Sequence, residues 1–229
     1  MTVVLDNADL VVQAFAYTLL LFLIAGVASL LLGTLVAAAR VGPVSVLRRA
    51  ATIYVSLLRN TPLLIVLIFF RLGAPKIGLG FNFVDLTIGD YRINNIFAAC
   101  TVALTVYTSA FVCEALRSGI NSVSAGQAEA ARAIGLTFTQ SLSQIVLPQA
   151  FRTSIPPVGS VIIAMFKNSA VVGAFGVGRD LFSVGESLTS AQGYAALPIL
   201  TGVAVGYLLI TLPAGFGLGV LERKVAIAR

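Results

Sequence analysis

Five stretches of this chain are apolar and nearly free of charge, and only one of the polar segments between them is long. Leu10 to Ala39 carries no charge, Ala50 to Phe70 carries only Arg59, and Ile93 to Cys113 carries none. Thr153 to Gly178 carries only Lys167, and Gly193 to Leu221 carries none. About 20 apolar residues cross the hydrocarbon of a bilayer as a helix. The pattern therefore predicts an all-α integral membrane protein of about five transmembrane helices. The second stretch is ambiguous, because Arg59 is followed by Pro62. Either an interfacial helix precedes the true span, or Arg59 is buried against protein or water.

Cationic side chains fix the expected orientation. Arg40, Arg48 and Arg49 follow the first span at once, and Arg117, Arg132 and Arg152 lie between the third and fourth. Arg223, Lys224 and Arg229 close the chain. Lys and Arg mark cytoplasmic loops, so the N-terminus is expected outside and the C-terminus in the cytoplasm. Residues 71–92 then form an external loop. The first 39 residues hold no Lys or Arg, and a cleavable signal peptide needs a positive start. The beginning of the chain is thus expected to be uncleaved and external.

The long polar segment, about 114–152, is expected in the cytoplasm. Ser124-x-x-Gln127 has the form of a capping box, in which two side chains satisfy free N–H groups of a first helical turn. The helix it predicts, about Ala125 to Ile134, ends at Gly135. Thr137-x-x-Gln140 predicts a second helix, with Phe138, Leu142 and Ile145 on one face and Pro148 near its end. Helices this short need a surface to pack on. They are either an amphipathic pair on the bilayer or a knob that docks into a partner. A DNA-binding helix–turn–helix is excluded by the scarcity of basic residues and the nearness of the membrane.

Composition agrees. The 229 residues are 58% hydrophobic and 10% charged, with a mean hydropathy of +0.99, against about a quarter charged in soluble domains. A single transmembrane domain over 1–229 is expected. Without histidine, a His-based metal site or proton relay is excluded. Cys100 and Cys113 would sit ~20 Å apart along one helix, too far for a disulfide, and read as small core residues. The net charge of +6 lies in short membrane loops, so nucleic acid is not an expected partner. No GxxxxGK[ST] phosphate loop occurs, and "GAFGVGRD" lacks its lysine.

Within the polar segment, Glu129-Ala130-Ala131-x-x-x-Gly135, nine residues, then Ile145-x-Leu147-Pro148 resembles, position for position, the EAA motif of ABC-importer permeases. "YVSLLRNTPLL" (54–64), "ALRSGINSV" (115–123), "LPQAFRTSIPP" (147–157) and "FKNSAVVGAFGV" (166–177) resemble the polar amino-acid subfamily, closest to permeases of glutamate uptake. The resemblance implies a coupling helix that seats in an ATPase subunit, with Glu129, Ala130, Ala131, Arg132, Gly135 and Leu136 at the contact. Glu114, Arg117, Gly119, Leu147 and Pro148 would support that loop. It also implies ATP and Mg bound by separate ATPase subunits, a second permease copy or related permease, and an extracytoplasmic amino-acid-binding protein.

Lys167 is the charge most costly to place in lipid, and such charges mark functional sites. With Asn168, Ser169 and the glycines that follow, it predicts a broken helix lining a substrate path. The alternative is that it only pairs with carbonyls at the break. Arg59 has two readings as well, a part in that path or an anchor for the second span. Tyr107 and Thr108 fit the path or plain packing. Small residues four apart, Gly202/Gly206 and Gly215/Gly219, predict close helix packing in the last span. An ion-coupled secondary transporter is the alternative function; the predicted spans offer it neither interior carboxylate nor histidine. A membrane enzyme finds no nucleophile–base or metal constellation.

Overall fold

The computed structural model describes residues 7–88 and 91–225. The start of the chain, Asp6 included, and Arg229 lie outside the described residues. Helix α1 runs over Ala8–Val41, α2 over Ser45–Arg59 and α3 over Leu63–Ile68, the last prolonged through a π turn (Phe69–Gly73) and a 3₁₀ turn (Ala74–Ile77). Strands β1 (Leu86–Ile88) and β2 (Tyr91–Ile93) form an antiparallel hairpin, with Leu86 opposite Ile93. Helix α4 covers Asn95–Asn121, α5 Ala125–Ala133 and α6 Phe138–Ser141. A π segment (Leu142–Val146) joins α6 to α7 (Leu147–Gly173), and α8 (Leu181–Ser190) and α9 (Ala196–Val225) complete the order.

Four helices are long and apolar enough to cross a membrane, and a fifth span arises if α2 and α3 are taken as one bent pair. The bend is 106°, at Asn60-Thr61-Pro62. Residues before proline are pushed out of the helical region, so α2 stops at Arg59 and a new helix starts in another direction. The second stretch is therefore two helices that meet at this bend.

The centre of the bundle is α4. Phe97, Cys100, Ala103, Leu104, Ala110, Val112 and Cys113 are buried along it, and α1 lies on one side with α7 on another. The two cysteines are free and fully buried, as expected of small core residues. Ala14, Tyr17, Leu21, Ala25, Ser29, Gly33 and Ala37 form one stripe of α1, and the small side chains let the helix backbones approach. A Cβ on Gly33 would come within 2.9 Å of the Ser109 carbonyl.

Three boundaries differ from expectation. Helix α4 runs eight residues past Cys113 to Asn121, with Glu114 and Arg117 paired on it. Helix α7 begins before Thr153. Pro148 does not end a helix; it lies where the π segment Leu142–Val146 passes into α7, and the backbone stays helical on both sides of that junction. Pro156 and Pro157 also lie inside α7, which ends at Gly173, short of Gly178. The loop at 71–92 contains most of the hairpin, a small departure from an all-helical chain, and α8 was not anticipated.

Candidate functional site

The polar insert stands on a stapled base. At the end of α4, a Cβ on Gly119 would lie 1.8 Å from Ser154 Oγ and 2.8 Å from the Ala150 carbonyl, so only glycine lets α4 and α7 cross there. Thr153 Oγ1 donates to the Gly119 carbonyl at 3.0 Å and Ser122 Oγ to Thr153 Oγ1 at 2.9 Å. The two ends of the loop are therefore tied together.

Helix α5 ends by a backbone device. Gly135 adopts φ +87°, a conformation easy for glycine alone. Its N–H donates to the Arg132 carbonyl at 3.0 Å, and the Leu136 N–H to the Ala131 carbonyl at 3.1 Å, the paired bonds that close a helix C-terminus. The second capping box is present: the Thr137 N–H donates to Gln140 Oε1 at 2.9 Å and the Gln140 N–H to Thr137 Oγ1 at 3.3 Å. The first is absent. Ser124 occupies the cap position without a side-chain bond, and the Gln127 N–H donates to the Ser124 carbonyl instead. Gln127 Oε1 accepts from Gln149 Nε2 at 3.4 Å, tying α5 to α7.

On α5, Glu129, Ala130, Arg132 and Gly135 are exposed and Leu136 is half-buried. Ala131 is buried at 4%, on the side where α5 meets the π segment with half-buried Leu142 and Ile145. The side chain of Phe138 lies outside the described residues. Sequence reading missed Ile134, which is 79% exposed beside Gly135. Its signal was available: a bulky apolar residue at the end of an otherwise small-residue helix. Leu147 and Pro148 are exposed at the start of α7.

Above the loop, Glu114 collects three guanidinium groups. Arg40 from α1 and Arg117 from its own helix are hydrogen-bonded to it, and Arg59 Nη1 from the end of α2 lies 3.6 Å from Oε2. The Arg59 guanidinium also rests over the Phe111 ring at 5.9 Å. These contacts join the end of α2 to α4. Arg40 was not singled out in the sequence, because only the fold brings it to Glu114.

Between α4 and α7 is a recess of about 210 Å³ lined by Tyr107, Thr108, Phe111, Val161, Ala164, Met165 and Asn168. Thr108 Oγ1 is buried with no hydrogen-bond partner among the described residues. Arg59 adjoins this recess through Phe111. Ser169 does not line it; it is buried, and its hydroxyl donates to the Phe166 carbonyl at 2.6 Å. Lys167 is exposed within unbroken α7, and no ion pair or hydrogen bond among the described residues engages its ammonium. The break comes six residues later, after Gly173, where Gly176 and Gly178 have positive φ.

That break holds a carboxylate the sequence left in a loop. Asp180 is 2% exposed and caps α8, accepting from the N–H groups of Phe182 (3.0 Å) and Ser183 (3.3 Å) and contacting the Ser183 hydroxyl. A Cβ on Gly173 would meet Asp180 Oδ2 at 2.1 Å. In the loop at 71–92, a two-bond pair with Arg92, both bonds 2.9 Å, holds the Asp85 carboxyl below its ordinary range.

Known proteins share this arrangement. The family of binding-protein-dependent transport system inner membrane components matches residues 29–227. The chain belongs to that family, the permease subunits of ABC importers. It is 37% identical over 224 residues to a glutamate transport system permease protein of Corynebacterium efficiens, covering 98% of this chain and 97% of the relative. A protein of Bacillus subtilis named "Probable glutamine ABC transporter permease protein" is 38% identical over 98% of this chain and 97% of its own length. A crystal structure of an amino acid ABC transporter with histidines superimposes with a TM-score of 0.85 at 28% identity, over 97% of both chains. The protein is a multi-pass membrane permease subunit without an ATPase of its own, and membership implies an ATPase and a substrate-binding protein as partners. An ATP-driven family also removes the ion-coupled alternative.

Proposed function

We propose that the chain conducts a polar amino acid, glutamate or a close relative, and receives the motion of an ATPase through α5 and the turn at Gly135. The observation that carries this is the projecting loop: α5, a glycine-closed helix end and α6, held at the base by Gly119, Thr153 and Ser154. Glu129, Ala130, Arg132, Gly135 and Leu136 form the docking face together with exposed Ile134, while Ala131 sets how closely α5 seats on its own chain. ATP and Mg are bound by the ATPase. The N-terminus is outside and the C-terminus in the cytoplasm, as the placement of Arg40, Arg48, Arg49, Arg223 and Lys224 favours.

Closure of an ATPase pair would draw two such loops together and rock the spans, since a ligand shifts a conformational equilibrium by binding its two states differently. The cargo path runs along the recess at Tyr107, Thr108 and Asn168, toward Arg59. An unpartnered buried hydroxyl is costly, and a passing ammonium or carboxylate would satisfy it. The binding-protein dependence of the family and the glutamate and glutamine relatives support an amino-acid cargo. Lys167 serves an anionic cargo in transit, or faces the second permease, a like copy or a related subunit.

The test is gentle extraction of the chain from its native membrane, identification of what accompanies it by mass spectrometry, and uptake of labelled amino acids by the reconstituted complex. An ATPase subunit and ATP-dependent glutamate uptake are expected. A preparation with no ATPase would overturn the coupling assignment. Uptake confined to cationic amino acids would overturn the cargo.

A further inference from the structure

The structure assigns α2 to the membrane surface: we infer that it is a docking face for the phosphate-bearing headgroups of anionic lipids, recognised by Arg48 and Arg49. Three residues separate α2 from the end of α1, and α2 meets the following helical stretch, Leu63–Ile77, at 106°. On this assignment Leu63–Ile77 crosses the bilayer without α2, and α2 lies nearly in the membrane plane, at one surface.

Its 15 residues divide into three sectors at 100° per residue. Ala51, Val55 and Leu58 are buried against the bundle. Arg48, Arg49 and Thr52 are exposed on a polar sector, with Arg59 at its end. The third sector is apolar yet uncovered: Val46, Ile53 and Leu57 are 73%, 67% and 65% exposed. A helix packed by protein alone would need only the first sector, and one facing water would not repeat apolar residues on the third.

A basic polar face beside an apolar one is the pattern of helices held at the bilayer interface. The helix contains no Asp or Glu, so nothing on it repels an anionic headgroup. Juxtamembrane cations gain attraction to anionic lipid within a Debye length of the surface. Charge complementarity thus selects anionic lipid over a zwitterionic one, while the third sector enters the acyl boundary.

The chain contains no tryptophan, so a single introduced one reports without background. Ile53→Trp would be reconstituted in vesicles of mixed phosphatidylglycerol and phosphatidylcholine in which one or the other carries brominated acyl chains. Leu57→Trp repeats the measurement on the same sector, so failure of one variant to reconstitute leaves the other. Both brominated lipids should quench, and the phosphatidylglycerol at least about threefold more per mole. Arg48→Gln combined with Arg49→Gln should equalise the two lipids while quenching persists. No quenching at either position would mean that protein, such as a second copy, covers the sector, and would overturn the assignment. Equal quenching by both lipids with the arginines present, or a preference that survives their removal, would overturn the anionic selectivity.

Discussion

Single side chains carry the sharpest consequences. Gly135 holds φ +87°, which costs other L-residues about 1–2 kcal/mol, and asparagine tolerates it best. Gly135→Trp adds bulk at the proposed docking face and should abolish uptake and ATPase coupling while membrane abundance stays normal. Gly135→Asn should keep most of the activity. Normal uptake by the Trp variant would refute the coupling role. Glu114 is the other pivot. Glu114→Gln leaves Arg40, Arg59 and Arg117 without their shared anion and should cost roughly 2 kcal/mol, below a fully buried pair because water reaches the site. Arg40, with a side chain only 16% exposed, should matter more than Arg59, which is 45% exposed and 3.6 Å away. Thermal unfolding in detergent should rank Arg40→Gln as more damaging than Arg59→Gln. The reverse order would mean that the cation–aromatic contact with Phe111 governs the node.

At the scale of elements, the α4–α7 crossing decides whether the loop can project. Gly119→Ala places a methyl group 1.8 Å from Ser154 Oγ and 2.8 Å from the Ala150 carbonyl, and forcing volume into a packed contact costs about 1–3 kcal/mol. Adding Ser154→Gly should recover only part of the loss, because the Ala150 backbone stays. Full recovery, read as the melting temperature of the purified chain, would mean that the helices part more easily than their packing indicates. The small-residue pairs of the last span show the limit of spacing rules. A Cβ on Gly206 would meet Leu181 at 2.5 Å, whereas Gly215 and Gly219 have nothing within 4 Å among the described residues. Gly119, with the shortest such contact among the described glycines, stands four residues after buried Ala115, a small-residue pair outside the last span.

Over the whole molecule, the exposed apolar residues follow from its setting. Leu208, Leu209, Leu212 and Phe216 are exposed along α9, a surface that lipid or a second permease would cover, since a lone chain in water could not keep it. The proposed cargo path is tested at this scale, because Lys167 and Asn168 come from α7, Tyr107 and Thr108 from α4 and Arg59 from α2. Lys167→Met should weaken uptake of anionic amino acids while sparing neutral ones. An equal fall for every cargo, with assembly intact, would make Lys167 a structural residue. Competition assays with the reconstituted complex separate the two.

The sequence by itself determined the membrane class, the positions though not the ends of the long apolar helices, the turn at Gly135 and the Thr137–Gln140 box. Hydropathy, φ above zero and capping are local properties, set by neighbours along the chain. Charge marks where a hydrophobic run stops and not where its helix stops: α4 continues past Glu114 and Arg117 to Asn121. Ser124 also looked like a cap, but tertiary packing gave Gln127 another partner in Gln149. The tertiary structure alone decided that Arg40 and Arg59 converge on Glu114, that Asp180 is buried as a cap, that Asn168 faces Thr108 across a recess while Ser169 does not, and that α2 turns 106° away from its span. These depend on which faces of distant helices meet, and a one-dimensional pattern fixes the faces without fixing their partners.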